Sequence, residues 1–305
     1  FLSGQTLPWW IVGTSMVATT FAADTPLAIT EFVRGPGIWQ NWFWWNLLMG
    51  ALLGVFLFSR LWKRADVLTD NELLEIRYSG KPAALLRAFK AGYFAILYNF
   101  IVMGWVINAM ASVVSVMLNM DKWTAVWICV AIALLYAILS GFWGVVVTDL
   151  VQFFIAMFGS ITLAIIAVKH VGGMDSLLNK LDALMGSDAV HNSTLKFIPP
   201  VPIDDITTLT FWESPFSKFI IFITVMWWSH HGTDGGGYII QRMSSAKNER
   251  HALLATLWFN LAHYALRVWP WIIVAVVSIV MFPLIPEAYN DLGVKAGYPL
   301  VMNNL

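Results

Sequence analysis

Long apolar runs separated by polar connections dominate the pattern of this 305-residue sequence. A helix needs about 20 mostly apolar residues to cross the hydrocarbon core of a bilayer. Seven segments meet that requirement, at approximately 8–30, 41–61, 91–118, 123–142, 146–168, 216–240 and 252–282. The one long polar stretch, 170–215, separates the fifth segment from the sixth. The pattern predicts an all-α polytopic membrane protein with about seven transmembrane helices.

The composition agrees with a membrane location and excludes several function classes. Apolar residues make up 59% of the chain and charged residues 12%, against about 25% charged residues in soluble domains. The formal net charge is zero, so no bulk positive field favours nucleic acid as a partner. The single cysteine, Cys129, excludes a disulfide framework and a cysteine-based zinc site. The predicted surroundings are a lipid bilayer.

Most basic residues lie in two connections between apolar segments. The 60–90 connection holds seven of them and the 241–251 connection holds three: Arg60, Lys63, Arg64, Arg77, Lys81, Arg87, Lys90, Arg242, Lys247 and Arg250. Positive charge marks the cytoplasmic side of membrane proteins. We therefore expect residue 1 and both connections to be cytoplasmic, and the 170–215 loop to be external, in the plasma or inner membrane of a cell.

The two ends of the sequence suggest a fragment. Phe1 stands where a complete protein would carry its initiating methionine, and Leu305 ends the chain without a tail-like composition. We expect a piece to be missing at each end. The alternative is a complete seven-helix protein whose methionine has been removed.

The first apolar segment contains residues that favour a break in the helix. Pro26 cannot donate a backbone hydrogen bond and disfavours helical backbone at Thr25, and small or hydroxyl side chains precede it. A helix broken inside the membrane frees carbonyls that coordinate a cation and amides that meet an anion. We therefore predict a break within residues 19–25. The alternative is a continuous helix that is kinked at Pro26.

The sixth segment combines two histidines, an aspartate and three glycines. Gly235, Gly236 and Gly237 weaken a helix by up to about 1 kcal/mol each, which indicates an unwound stretch or a very close helix contact. His230 and His231 point about 100° apart on a regular helix, and a copper or haem site would need further histidines on neighbouring helices. Contact with a solute or proton, a metal centre and simple packing all stay open.

Two further segments carry ionisable residues, which are costly inside a membrane and usually line a solute path. In the seventh segment His263 and Arg267 share one helix face. Asp24 or Asp234 could pair with Arg267, unless the arginine reaches an interface by snorkelling. In the fifth segment Asp149 lies near the predicted helix start, where helix capping alone would also explain it.

Three motifs together resemble the sodium:solute symporter family. They are Gly13-x-Ser15-x-x-Ala18 in the first segment, Gly144-Val-Val-Val-Thr148-Asp149-x-x-Gln152 in the fifth, and Tyr238-Ile-Ile-Gln241-Arg242 with Lys247 after the sixth. The resemblance implies two inverted repeats of five helices preceded by one additional helix. The seven segments would then be the first seven core helices of that fold.

The resemblance also implies how sodium, the coupling ion, would be bound. In the family, carbonyls of the broken first core helix and hydroxyls of the eighth hold the ion. The matching carbonyls are those of Ala18 and Phe21, and the eighth helix would lie beyond Leu305. Asp149 matches a family aspartate on the intracellular sodium path.

The solute-binding positions of the family match less well. Thr25, Trp44, Ser229 and His263 replace the side chains that sugar carriers of the family use, and Gly232 stands where an aromatic gate would be. Galactose-type recognition is therefore not expected. We predict that these four side chains converge around one cavity near the bilayer midplane, with His230 and Asp234 also contributing to the solute site.

The predicted function is sodium-coupled symport of a small polar solute by alternating access. It requires no catalytic residue, and no cofactor or metal other than sodium. Two alternatives from other classes are a membrane-embedded redox enzyme or metal-binding protein that uses His230 and His231, and a channel.

Overall fold

A computed structural model describes residues 3–67, 69–139, 142–185, 194–203, 210–230, 232–233 and 236–283. By contact, the chain divides into two units. The first comprises residues 1–24, 49–155 and 231–263, and the second comprises 25–48, 156–230 and 264–305. The described residues form helices and no β-strand, apart from one isolated bridge between Leu7 and Ala246.

The described residues contain eleven helices of seven or more residues, some of which join shorter consecutive helical stretches. They are α1 (Trp9–Thr19), α2 (Asp24–Arg34), α3 (Ile38–Ala65), α4 (Asp70–Arg77), α5 (Gly80–Leu118), α6 (Lys122–Leu139), α7 (Phe142–His170), α8 (Met174–Met185), α9 (Pro215–Met226), α10 (Gly236–Ser245) and α11 (Glu249–Met281). Short helical turns at Ser3–Gln5 and Thr210–Glu213 complete the described elements.

Four of these helices, α3, α5, α7 and α11, are long and apolar enough to cross a membrane. Two shorter apolar helices, Lys122–Leu135 within α6 and α9, accompany them. Many large apolar side chains of α5 and α6 are exposed, including Phe100 and Trp127 at 67% and 69%. Exposed apolar residues on long helices are suited to contact with lipid. The prediction of an all-helical polytopic membrane protein is confirmed.

The first apolar segment is divided into two helices. α1 ends at Thr19 and α2 begins at Asp24. At the end of α1 the amides of Thr20 and Phe21 donate to the carbonyls of Val17 and Ala18, at 3.1 and 2.9 Å. These bonds reach back three residues instead of four, which tightens the last turn. The predicted break within residues 19–25 is confirmed.

The sixth segment is also divided. α9 ends at Met226, α10 begins at Gly236, and the described residues between them are not helical. Gly50 of α3 makes room for this connection, because a Cβ atom at Gly50 would lie 3.2 Å from the Thr233 hydroxyl oxygen. The non-helical residues support the interpretation of an unwound segment. The close-contact interpretation is not supported by the described glycines of the stretch, because a Cβ atom at Gly236 would meet nothing within 4 Å and one at Gly237 would meet only Oδ1 of Asp70, at 4.0 Å.

In the first unit, α1 packs closely against the first half of α11. A Cβ atom at Gly13 would lie 2.6 Å from the Ala255 carbonyl oxygen and 2.8 Å from Cδ1 of Trp258. The Trp258 indole donates to the Thr14 hydroxyl at 3.0 Å. Only a glycine permits this approach of the two backbones, since small residues let membrane helices pack at short range.

In the second unit, the last residue of α2 caps the carboxyl end of α11. The Arg34 guanidinium donates to the Ser278 carbonyl at 2.5 Å, to the Ser278 hydroxyl at 3.0 Å and to the Phe282 carbonyl at 2.7 Å. These carbonyls belong to the last turn of a helix, where a cation is favourable. Arg34 therefore ties α2 to the second half of α11.

Replacing Gly13 by alanine should destabilise the protein by about 1–3 kcal/mol, because the added methyl group overpacks against the Ala255 backbone. Thermal unfolding of the purified protein in detergent measures the effect. Gly104→Ala is the matched control, since a Cβ atom at Gly104 meets nothing within 4 Å. Equal unfolding temperatures for the two variants would contradict the close packing of α1 on α11.

Candidate functional site

Asp149 is a buried carboxylate in the interior of α7. The helix begins at Phe142, so Asp149 lies about two turns beyond its start, at 3.6 residues per turn, and its exposed fraction is 5%. The capping explanation is therefore wrong, because the unpaired amides of a helix lie in its first turn. A buried carboxylate requires other partners.

Those partners come from α1 and α10. The Ser15 hydroxyl donates to Oδ2 of Asp149 at 2.5 Å, and the Thr19 hydroxyl lies 3.4 Å from the same oxygen. Nη2 of Arg242 forms an ion pair with this oxygen at 3.2 Å. Arg242 also donates to the hydroxyls of Ser15 and Thr19, at 2.9 and 2.5 Å. All four residues belong to the first unit.

Arg242 is the site residue that sequence reasoning missed. The charge pattern assigned it to a cytoplasmic connection, but α10 carries it and its exposed fraction is 5%. One signal was available, because Gln241-Arg242 belongs to the motif after the sixth segment. Nothing in that motif indicated that Arg242 would face Asp149, which is 93 residues away in sequence.

The cluster contains one negative and one positive charge, on Asp149 and Arg242. One carboxylate and one guanidinium neutralise each other, and the Ser15 hydroxyl donates to Oδ2. The single hydroxyl proton of Thr19 has a nearer acceptor in the Ser15 carbonyl, at 2.9 Å, than in Oδ2, at 3.4 Å. Two unit charges 4 Å apart interact by about 4 kcal/mol at an effective dielectric constant of about 20. A second cation at Asp149 would therefore be repelled strongly by Arg242 unless the guanidinium moved away. In this structure the guanidinium of Arg242 is the cation that pairs with Asp149.

Around the break after α1, backbone carbonyls carry unusual hydrogen bonds. The Val17 carbonyl accepts both the amide and the hydroxyl of Thr20, at 3.1 and 2.8 Å. The Ala18 carbonyl accepts the Phe21 amide. Ala18 is buried and Phe21 half-buried. These carbonyls lie one turn beyond Ser15, close in sequence to the Asp149 cluster.

His263 lies in the first unit, on a π-helical turn of α11 at Ala262–Leu266. Its exposed fraction is 6%. Nδ1 lies 2.9 Å from the Thr20 hydroxyl oxygen, and the ring packs on Phe259 with centroids 4.8 Å apart. Single π-helical turns occur frequently at functional sites. The structure thus ties His263 to the residue that follows α1.

Arg267 lies in the second unit, close to two indole rings. Its guanidinium carbon is 5.3 Å from the ring centroid of Trp44 and 5.5 Å from that of Trp271. The exposed fraction of Arg267 is 1%, so the snorkelling explanation is wrong. Stacking on aromatic faces stabilises a buried guanidinium. Trp44 also contacts Tyr264, at 5.1 Å between ring centroids, and therefore forms an aromatic wall beside Arg267.

The other residues that were predicted to bind solute lie on different elements of the chain. Thr25 is half-buried in the first turn of α2. Ser229 is exposed and donates to the Met226 carbonyl at 2.9 Å, and His230 is exposed as well. Asp234 lies outside the described residues. Thr25, Trp44 and Ser229 belong to the second unit and His263 to the first, so their convergence around one cavity stays a prediction.

The described residues contain no cluster of three or more histidine, cysteine, aspartate or glutamate side chains that could hold a metal ion. His231, one of the two adjacent histidines of the metal-site alternative, lies outside the described residues. That alternative therefore receives no support from the described part of the chain.

Comparison with known proteins gives consistent results. The sequence model of the sodium:solute symporter family matches residues 1–294. The chain is 27% identical over 256 residues to sodium/glucose cotransporter 1 of Ovis aries, covering 82% of this chain and 38% of the relative. It is 27% identical over 290 residues to sodium/myo-inositol cotransporter 2 of Oryctolagus cuniculus, covering 93% and 41%. The chain therefore spans about two fifths of the length of these relatives.

A double-mutant cycle tests the ion pair of Asp149 and Arg242. Asp149→Asn and Arg242→Gln should each destabilise the protein by about 3–5 kcal/mol, because each leaves a buried charge without its partner. The double variant should lose clearly less than the two single losses combined. Unfolding in mixed micelles measures each free energy.

The matched control is the exposed pair of Arg64 and Glu249, whose side chains are 66% and 40% exposed. Its cycle with Arg64→Gln and Glu249→Gln should show much weaker coupling, since exposed ion pairs contribute little. Additive losses at Asp149 and Arg242 would show that the two charges do not depend on each other.

Proposed function

Since this chain belongs to the sodium:solute symporter family, we propose that the protein couples the entry of sodium to the uptake of a small polar solute across the cell membrane. The observation that carries the proposal is the cluster of three buried side chains, Asp149, Arg242 and Ser15, with the exposed Thr19 beside them. A transporter driven by a cation needs a cation site inside the membrane, and intramembrane carboxylates mark such paths. The cluster supplies a carboxylate and two hydroxyl oxygens in one place.

In this proposal Arg242 and sodium alternate at Asp149. The guanidinium satisfies the carboxylate when sodium is elsewhere, so the charge is never buried alone. When sodium reaches Oδ2, the oxygens of Ser15 and Thr19 become ligands and Arg242 is repelled. Both hydroxyls now accept hydrogen bonds from Arg242, so its departure frees the lone pairs that a cation requires. The displacement converts sodium binding into a movement of α10 relative to its own unit.

The broken first helix extends this sodium path. We propose that the carbonyls of Ala18 and Phe21 hold sodium before it reaches Asp149, and that the remaining ligands come from a later part of the full-length protein. Carbonyls at a helix break are suited to this role, because they are not all committed to a regular ladder. The tightened turn at Thr20 and Phe21 ends α1 before the break.

For the solute, a sugar or other polyol is the best-supported class. The relatives are named for glucose and myo-inositol, and both are small, neutral and rich in hydroxyl groups. Trp44 supplies an aromatic face of the kind that packs against such rings, and His263 supplies a ring nitrogen that exchanges hydrogen bonds with hydroxyls. Thr25, Ser229, His230 and Asp234 complete the proposed set.

The coupling is energetically sufficient. One sodium ion that moves down a membrane potential of 100 mV releases about 2.3 kcal/mol. Because 1.4 kcal/mol corresponds to a tenfold concentration ratio, this energy supports about fifty-fold accumulation of a neutral solute. The sodium concentration gradient adds to that value.

Two variants test the ion and solute assignments in one assay, which measures uptake of labelled myo-inositol or glucose by vesicles containing the full-length protein. Asp149→Asn should raise the half-saturating sodium concentration at least tenfold, because it removes the charge that attracts the ion. His263→Ala should raise the half-saturating solute concentration at least tenfold and change the sodium value much less.

Each variant is the control for the other. Uptake that is independent of sodium in the wild-type protein would overturn the proposed function. Uptake by Asp149→Asn with unchanged sodium dependence would remove Asp149 from the ion path. Equal effects of His263→Ala on both constants would remove His263 from the solute site.

A further inference from the structure

The segment that leads into α1 is fastened to the start of α11 and to the connection before it. The Lys247 amide donates to the Leu7 carbonyl at 3.0 Å. Lys63 of α3 donates to the Ser244 carbonyl at 2.8 Å and to the Gln5 side chain at 3.2 Å. All of these residues belong to the first unit, on the side that carries the predicted cytoplasmic connections. The N-terminal end of α1 is therefore held by contacts outside its own helix.

One of these contacts involves a titratable group. The Trp9 amide, at the first position of α1, donates to Nδ1 of His251 at 3.1 Å. The amides of a first helical turn have no partner within the helix. Pro8, the preceding residue, provides no side-chain cap. The imidazole of His251 therefore serves as the cap of α1, from a residue 242 positions away in sequence.

The direction of this hydrogen bond determines the protonation state of the ring. A backbone amide only donates, so Nδ1 of His251 must carry a lone pair, and its proton must be on Nε2. A second proton on the ring would turn Nδ1 into a donor that faces another donor. It would also place a positive charge at the helix N-terminus, where the helix dipole is already positive.

We propose that His251 is a proton-sensitive latch, which holds the N-terminal end of α1 against α11 when neutral and releases it when protonated. Histidine is the side chain whose charge normally changes between about pH 5 and pH 8. Acidification on the predicted cytoplasmic side would thus loosen the first turn of the helix that carries Ser15 and Thr19. The latch would link the local proton concentration to the mobility of α1.

The charged groups around His251 do not offset this loss. On its own helix, Glu249 is engaged by Arg64 of α3 at 3.0 and 3.1 Å. Asp66 after α3 accepts the Gln5 amide at 2.8 Å. The other charged groups on α3 and α10, which pack against the start of α11, and in the connection before α11 and on α11 beside His251, are basic: Arg60, Lys63, Arg242, Lys247 and Arg250. Segment 3–8 and α1 contribute no charged side chain.

Spin labels test the latch directly in the full-length protein. With Cys129 replaced by serine, labels at Trp10→Cys and Leu257→Cys, both exposed positions, report the distance between α1 and α11. Double electron–electron resonance at about pH 8 should give one short distance, and at about pH 5 a second, longer population that disappears on return to about pH 8. Sodium and solute are omitted, so the result does not depend on transport.

Two replacements of His251 separate the outcomes. His251→Asn keeps a side-chain oxygen that accepts the Trp9 amide and does not titrate, so it should give the short distance at both pH values. His251→Ala should show the longer population at both. His170→Asn, at an exposed residue at the end of α7, should respond to pH like the wild type. A His251→Asn protein that opens on acidification as the wild type does would overturn the proposal, whether or not the alanine variant folds.

Discussion

The ion pair between Asp149 and Arg242 is the interaction on which the proposed machinery depends. A single charge inside a membrane protein is costly, and a buried pair offsets that cost only when both partners and their remaining hydrogen bonds are in place. Here the Ser15 hydroxyl donates to Asp149 and accepts from Arg242, and the Thr19 hydroxyl accepts a second hydrogen bond from Arg242. Removing either charge would therefore leave the other buried without a partner, whereas the complete cluster is stable. This property suits the proposed site, at which one cation replaces another.

Helix α1 carries Ser15 and Thr19, so its position and its end affect the cluster. The helix packs closely on α11, and Gly13 permits the approach. It must also end soon after Thr19, so that hydroxyls and carbonyls both lie near the site. In the second unit, α2 is fastened separately to the end of α11 by Arg34. Each half of the divided first segment is thus tied to α11 within its own unit.

Features with a local cause could be predicted from the sequence. The break before α2 follows from Pro26 and the small residues before it, because proline acts on the backbone of its immediate neighbours. The interruption before α10 lies next to the glycines of the sixth segment, at two of which, Gly236 and Gly237, the helix begins; glycine weakens a helix through its own backbone. The family motifs also identified Asp149 without any structure.

Features that arise from distant contacts could not be predicted in this way. A basic residue near a helix end has the same pattern whether it faces water or a buried carboxylate, so Arg242 was assigned to the cytoplasmic surface. Arg267 is buried beside the rings of Trp44 and Trp271, and Trp44 is far away in sequence. The capping explanation for Asp149 failed because α7 begins at Phe142, several residues before the predicted start at 146.

Structures of the full-length protein determined in sodium and in choline test the central claim most directly. The proposal predicts that saturating sodium brings an ion to Oδ2 of Asp149 and moves Nη2 of Arg242 away from its present 3.2 Å contact with that oxygen. In choline the pair should be intact. An unchanged contact between Arg242 and Asp149 at saturating sodium, with the ion bound elsewhere, would contradict the exchange of cations at this site.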